Sequence, residues 1–340
     1  LYIIGLLLVF NGISMLICSF VSLILDDGVA NKLLISSSVP ILCGIILMLF
    51  NKNNIRQINK RDGYIIVTLG WLTMVISGML PYYLTNSIVG TPNLFFETMS
   101  GYTTTGSTIL ENVEDLPKSI IFWRSMTHWL GGMGIIVLAI AILPLLGIGG
   151  MQLFSAEAPG VSSDKIHPRI SDTAKRLWVI YVGLTVLETV LLNIAGMSFF
   201  DAINNSMSNI ASGGFSSKND SIAYWNDVPI IQYIIIFFMF LAGTNFILIY
   251  FGLTGKIKKI YKNTEFKWYL SLIIFFVLIV STVLYYSIDL NETGVNHPQV
   301  YGKLESSFRH ALFQVVAIVT TTGFVTGDFI AWGSFLTMFF

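Results

Sequence analysis

Charge is scarce in this sequence. Only 11% of its 340 residues are Asp, Glu, Lys or Arg, against about 25% in soluble globular proteins. Nineteen basic residues balance nineteen acidic ones, so the formal net charge is zero. A neutral chain lacks the basic surplus that holds nucleic acid, and no nucleic-acid partner is expected. Cysteine is nearly absent. Cys18 and Cys43 both lie inside apolar runs. Two cysteines cannot make a zinc site and are not expected to form a structural disulfide; both read as small buried apolar residues. Signatures of intramembrane hydrolases are missing as well. There is no Gly-x-Ser-Gly and no Gly-x-Gly-Asp, and neither His128 nor His310 has a matched catalytic partner. No enzyme activity is expected.

What is present is hydrophobic: 54% of the residues. They are gathered in runs of roughly 20, enough to cross a bilayer core of about 30 Å. Candidate spans are 1–25, 33–50, 63–84, 119–147, 173–198, 229–253, 267–288 and one starting near 329. The first run is too long for the apolar region of a signal peptide. The chain starts with Leu1 inside one apolar run and stops inside another, "AWGSFLTMFF"; we expect it to be cut at both ends. Lys52, Arg56, Lys60 and Arg61 share one loop. Lys165, Arg169, Lys175 and Arg176 share another, and Lys256, Lys258, Lys259, Lys262 and Lys267 a third. Excess Lys and Arg marks the cytoplasmic side. The acidic or mixed loops 111–118, 217–227 and 287–294 then face outside.

This topology needs 63–84 and 119–147 to cross in opposite directions, yet their link is long and partly apolar. The links 199–228 and 289–328 are similar. Each opens with a helix-like stretch and then reaches a Thr/Ser/Gly cluster, which fits a half-helix dipping into the membrane from outside and a non-helical return. Aligned on their glycines, the links read "NLFFETMSGYTTTGS" (93–107), "DAINNSMSNIASGGF" (201–215) and "HALFQVVAIVTTTGF" (310–324). Phe95, Ile203 and Leu312 fall in register, as do Glu97, Asn205 and Gln314, and Gly106, Gly214 and Gly323. The period is about 108 residues, the mark of one supersecondary unit repeated.

Non-helical backbone survives at membrane depth only where it lines a water-filled cavity or is buried in protein. A cation pathway can use it, with carbonyl oxygens replacing the ion's hydration shell. Glycine allows positive φ and close approach. The C-terminal end of each half-helix carries partial negative charge and favours a cation. A single TTTG in a membrane helix usually serves packing; three copies at matched spacing reverse that weighting.

These segments, together with "WRSMTHWLGGMGIIVLAIAILPLLGIGGMQLFSAEAPG" (123–160), resemble the Trk/Ktr/HKT superfamily of potassium or sodium uptake proteins, most closely its TrkH type of membrane subunit. The resemblance runs over essentially the whole chain. It implies an all-α polytopic membrane protein. Potassium-channel-like repeats of helix, re-entrant pore half-helix, filter strand and helix would surround a pseudo-fourfold pore, preceded by an N-terminal helix pair. The division would be 1–62 for that pair, 63–170 and 171–265 for repeats 1 and 2, and 266–340 for an incomplete repeat 3. A fourth repeat and the third repeat's glycine-rich gate loop would lie outside this chain. The family's ion-contacting positions map onto Thr103, Thr104, Thr105 and Gly106, then Ala211, Ser212, Gly213 and Gly214, then Thr320, Thr321, Thr322 and Gly323. Glycine at the filter position goes with potassium in this superfamily and serine in the first strand with sodium, so Gly106 favours potassium. Potassium would be substrate, with no cofactor in this chain. The implied partners are membrane lipid, a second copy in a homodimer, and a cytoplasmic ring of TrkA-like nucleotide-binding gating subunits. The implied location is the cell (inner) membrane, and the implied function gated potassium uptake.

Other residues carry weaker signals. Glu97 either tunes the field near the filter or, the reading we favour, fixes the half-helix by hydrogen bonds; Asn205 and Gln314 suggest that role is shared. Glu188 lies mid-span, where an ionisable group is costly; an interior hydrogen bond or a protonated carboxyl fits it better than an ion site. Arg124 and His128, one turn apart, read as snorkelling to the interface or pairing with the acidic loop 111–115. Asp328 either attracts cations to the mouth or is a solvated loop charge. Gly131, Gly132 and Gly134 suit close packing or a bend behind the filter. His167, Arg169, Lys175 and Arg176 read as positive-inside charge ahead of a contact with the gating ring or anionic lipid. Two rivals stay open: a secondary transporter for another small substrate, which would usually show inverted repeats, and a sodium-permeable member of the same superfamily.

Overall fold

The computed structural model describes residues 1–51, 60–146, 170–287 and 300–339. Loop 52–59, the stretch 147–169 with Lys165, His167 and Arg169, and most of loop 287–294 lie outside the described residues. Among the described residues all regular structure is helical. The chain divides into two compact units, Leu1–Tyr181 and Val182–Phe340.

In the first unit, α1 (Tyr2–Leu25) and α2 (Ala30–Asn51) form an N-terminal hairpin. A Cβ on Gly44 would stand 2.5 Å from the Gly5 carbonyl oxygen, so the backbones touch through small residues, the usual device for helix pairing in lipid. Helix α1 also packs on α3 (Lys60–Gly78) and α6 (Lys118–Leu146). Between them lie the short α4 (Leu80–Thr85) and α5 (Thr91–Tyr102). Asn11, fully buried in α1, donates to Ser77 Oγ at 2.8 Å and accepts from the Tyr102 hydroxyl at 2.6 Å. The α1–α2 turn holds Asp27, which accepts the Ser119 amide at 2.8 Å at the start of α6 and the Ser22 hydroxyl. Partial burial alone would raise its pKa, but bonds from Ser119, Ser22 and Val29 outweigh it and hold the carboxyl below its ordinary value. The turn therefore lies on the same side as loop 111–118, as the charge pattern requires.

In the second unit, α7 (Ile170–Ile194, shared with the first unit at its start) leads to α8 (Phe199–Ile210), whose Ser198 cap accepts the Asp201 amide at 3.1 Å. A 3-10 turn, Ser221–Trp225, follows. Next come α9 (Pro229–Ala242), α10 (Phe246–Leu253), α11 (Ile257–Lys262), α12 (Thr264–Ser287), α13 (Leu304–Val319) and α14 (Ser334–Phe339). The core lies where α8, α9, α12 and α13 meet, around Ile235, Met239, Val280, Phe313 and Phe324.

Five described helices are long and apolar enough to cross a membrane: Tyr2–Leu25, Ala30–Asn51, Ile65–Thr85, Arg176–Ile194 and Thr264–Tyr286. The expected continuous span 229–253 is broken: α9 and α10 meet at 107°. Gly243 ends α9, and Asn245 caps α10 by accepting the Ile247 amide at 3.0 Å. The last expected span does not begin at 329. A 3-10 turn, Phe329–Trp332, comes first, and helix resumes only at Ser334 after Gly333, φ +93. The cysteine expectation holds for Cys18 alone; Cys43 is exposed, on the outer face of α2.

Helices α5 and α8 have 12 residues each and α13 has 16. At 1.5 Å per residue they reach about 18 to 24 Å, short of a full crossing, as the half-helix reading expects.

Candidate functional site

The three half-helices end 108 and 109 residues apart, at Tyr102, Ile210 and Val319, and each ends in the same way. Thr104, Ser212 and Thr321 take left-handed backbone, φ 53°, 54° and 58°. The Thr104 amide bonds Gly101 O at 3.1 Å and the Thr105 amide Ser100 O at 3.0 Å. Ser212 and Gly213 bond Asn209 O and Ser208 O at 2.8 and 2.9 Å, and Thr321 and Thr322 bond Ile318 O and Ala317 O at 3.0 and 2.8 Å. This pair of bonds, to the third and fifth residues back, is the Schellman ending, which normally uses glycine at the left-handed position. Two residues later Gly106, Gly214 and Gly323 are left-handed again, φ 77°, 76° and 78°. The return segments are irregular rather than the strands expected from sequence.

The consequence for the carbonyls is geometric. In a trans peptide N–H and C=O point in opposite directions. The amides of 104 and 105 turn back onto the helix end, so the carbonyls of Thr103 and Thr104 point away from it. The same holds for Ala211 and Ser212, and for Thr320 and Thr321. Among the described residues no hydrogen bond reaches these six oxygens. Each half-helix thus offers outward carbonyls at its partially negative end, an arrangement that can strip and hold a cation.

Within the second unit the second and third segments touch. A Cβ on Gly214 would overlap the Thr322 carbonyl oxygen and stand 3.1 Å from its carbon. The hydroxyls of the threonine segments serve as braces. Thr103 donates to Met99 O at 2.8 Å and sits 2.8 Å from the Thr105 hydroxyl. Thr320 donates to Val316 O at 2.8 Å and sits 2.8 Å from the Thr322 hydroxyl.

A tie then joins each half-helix to the chain leaving the segment. In the first copy Glu97, fully buried, accepts from Thr108 Oγ1 at 2.9 Å, from the Ile109 amide at 3.0 Å and from Arg124 Nε at 2.8 Å. Arg124, 3% exposed, is buried against Glu97 and therefore does not snorkel. It neutralises Glu97, and His128 beside it is fully buried. Asn205 and Gln314, in register with Glu97, make no such tie. Asn205 donates to Asp201 O at 3.0 Å, and the side-chain oxygens of both are unpaired among the described residues. One turn earlier Asp201 accepts from Ser217 at 2.7 Å, and His310 Nδ1 meets Thr326 Oγ1 at 2.8 Å. Asp201 and His310 are in register with each other, as are Ser217 and Thr326.

In the second unit the loops that leave the second and third segments are cross-linked. The Ile222 and Ala223 amides both bond Val325 O at 3.1 Å, and Asn226 Nδ2 bonds Thr326 O at 3.0 Å. Arg309 pairs with Glu305 at 2.8 Å and donates to Gln232. The bond to Arg309 is the main cause that lowers the Glu305 pKa. Asp328 is exposed. Glu188, fully buried in α7, accepts from Asn209 Nδ2 at 2.6 Å, the interior hydrogen bond expected for it.

The close packing expected of Gly131 and Gly134 is seen: Gly131 lies against the Tyr102 carbonyl, and Gly134 against the Trp71 ring. Other contacts were not foreseen from sequence. Trp123 donates to Gly78 O at 3.2 Å, and a Cβ on Gly243 would stand 2.6 Å from Thr320 Cγ2. An Asn inside an apolar span, as at Asn11, was the available signal for the Asn11–Tyr102 bond.

Comparison with known proteins gives a family model described as TrkH, cation transport protein, matching residues 34–340. The Trk system potassium uptake protein TrkH of Salmonella typhimurium is 40% identical over 341 residues, covering 98% of this chain and 67% of that protein. The Escherichia coli Trk system potassium uptake protein TrkG is 34% identical over 286 residues, 83% of this chain and 56% of that one. The crystal structure of the potassium transporter TrkH from Vibrio parahaemolyticus superposes with a TM-score of 0.82 at 36% identity, covering 99% of this chain and 68% of that chain.

Proposed function

The chain belongs to the TrkH family of cation transport proteins, and from that premise we propose that it is the pore-forming part of a Trk-type system for potassium uptake across the cell (inner) membrane. The observation that carries the reading is the threefold repetition of one backbone. Half-helix, Schellman ending and left-handed glycine recur at 104–106, 212–214 and 321–323, each with outward carbonyls. Residues 103–106, 211–214 and 320–323 are the filter segments, and potassium passes through them as substrate. Carbonyl oxygens select by the number and field of their dipoles around a dehydrated ion. Glycine at 106, 214 and 323 leaves that backbone uncrowded, which favours potassium over the sodium-permeable alternative. The repeat boundaries 63–170, 171–265 and 266–340, a homodimer, coupling to another ion and a cytoplasmic nucleotide-binding gating ring are parts of the same proposal.

Gly106→Ser and Gly323→Ser in the full-length protein test it, with potassium and sodium permeability measured in proteoliposomes. The ratio should fall towards sodium in both. An unchanged ratio in both removes the filter assignment.

A further inference from the structure

The first and third segments are braced by paired threonine hydroxyls, but the second has Ala211 and Gly213 at those positions and no hydroxyl to pair. Its backbone is nonetheless the same to within a few degrees at Ser212 and Gly214. Something else must hold it. Asn209 is the only one of its register set able to do so through a side chain, since Gly101 and Ile318 stand in the other copies. Its carbonyl accepts the Ser212 amide at 2.8 Å. Its side-chain amide donates one hydrogen to Glu188 Oε1 at 2.6 Å and the other to Ile235 O at 3.2 Å. Asn209 thus pins the end of α8 to α7 on one side and α9 on the other. Glu188 supplies the short bond, and the first repeat has Leu80 at its register position. A fully buried carboxyl in an apolar helix is costly to keep, so its retention calls for a structural return. The segment it reaches is the one whose Gly214 rests on the Thr322 carbonyl.

We propose that Glu188 is a positioning residue for the second filter segment: through Asn209 it fixes the end of α8 and so the aim of the Ala211 and Ser212 carbonyls, in place of the threonine brace. The inference rests on the filter reading above. Its role is as hydrogen-bond acceptor, not as a charge, so Gln can replace it and Leu cannot.

The test uses Glu188→Gln and Glu188→Leu in the full-length protein, reading the potassium-to-sodium uptake ratio per molecule of reconstituted protein. Glu188→Gln should keep the ratio. Glu188→Leu should lower it about five- to tenfold, the factor carried by one lost hydrogen bond. A fall in amount with an unchanged ratio marks a purely structural role and overturns the proposal. An equal fall in both variants overturns it too, because charge would then be the operative property. Should Glu188→Leu fail to accumulate, Asn209→Leu removes the same bond from the filter side and is read by the same two outcomes. Gly106→Ser and Gly323→Ser run alongside. If they shift the ratio while Glu188→Leu does not, the positioning inference fails alone; if none shifts it, the filter reading has failed.

Discussion

Gly214 and Gly323 share a backbone conformation but not an environment, and that difference can be measured. An alanine at either must take φ near +77°, a region where an L side chain costs roughly 1–2 kcal/mol. At Gly323 nothing else stands within 4 Å of the new methyl group, so that cost is the whole effect. At Gly214 the methyl overlaps the Thr322 carbonyl oxygen, which belongs to backbone and cannot swing aside as a side chain would. The two segments must separate, and overpacking of this kind adds about 1–3 kcal/mol. Gly214→Ala should therefore be the more destabilising by roughly fivefold to more than a hundredfold in the folding equilibrium, at 1.4 kcal/mol per tenfold. Thermal stability of the detergent-solubilised full-length protein ranks the pair, and rubidium uptake in proteoliposomes reports whether the separated segments still conduct. Gly323→Ala should remain the milder change in both. Equal losses, or a Gly214→Ala protein as stable as the parent, would refute the close approach on which the reasoning depends.

Other consequences can be checked alongside. Removing either partner of the buried Glu97–Arg124 pair, by Glu97→Leu or Arg124→Met, should cost about 3–5 kcal/mol, because it strands the other charge. The double variant should cost less than the sum, and strict additivity in melting experiments would show that the pair is not coupled. Cysteines placed in 111–118 and 217–227 should react with impermeant reagents from outside while those in 165–176 do not; the reverse pattern overturns the topology. The Asp27 carboxyl titrates below its ordinary value of 3.8. Its contribution to stability is thus complete above that value and is lost as pH falls through its lower folded-state value. Asp27→Asn should weaken the protein at neutral pH and flatten this acid-side loss; an unchanged acid profile would contradict the hydrogen bonds assigned to the turn.

The repeat was legible because its parts are local. A half-helix followed by small residues and a glycine announces itself in any one copy, and a period near 108 residues aligns the copies without further help. The N-terminal hairpin and the buried Glu188 bond were legible for a related reason: an apolar run, or one carboxyl inside it, leaves few physical options. Tertiary pairings were not. Arg124 looked like an interfacial arginine because its partner Glu97 lies 27 residues away, on a different helix. Equivalence at position 97 suggested one role for Glu97, Asn205 and Gln314, yet in the second and third copies the tie is made one turn earlier, by Asp201 and His310. The joint at Gly243–Asn245 was hidden because the flanking residues are as apolar as an unbroken span, and only contact with Thr320 and Tyr269 gives the glycine a reason to be there.

Three copies of one backbone, two braced by threonine hydroxyls and one not, and each tied through a different side chain, Glu97, Asp201 or His310, mean that substitutions need not translate from copy to copy. Removing the hydroxyl of Thr105 or Thr322 breaks a brace, whereas the matching Gly213 has none to break. A mutational map of the first or third segment therefore predicts little about the second, and engineering has to treat that segment as a separate lock that happens to accept the same key.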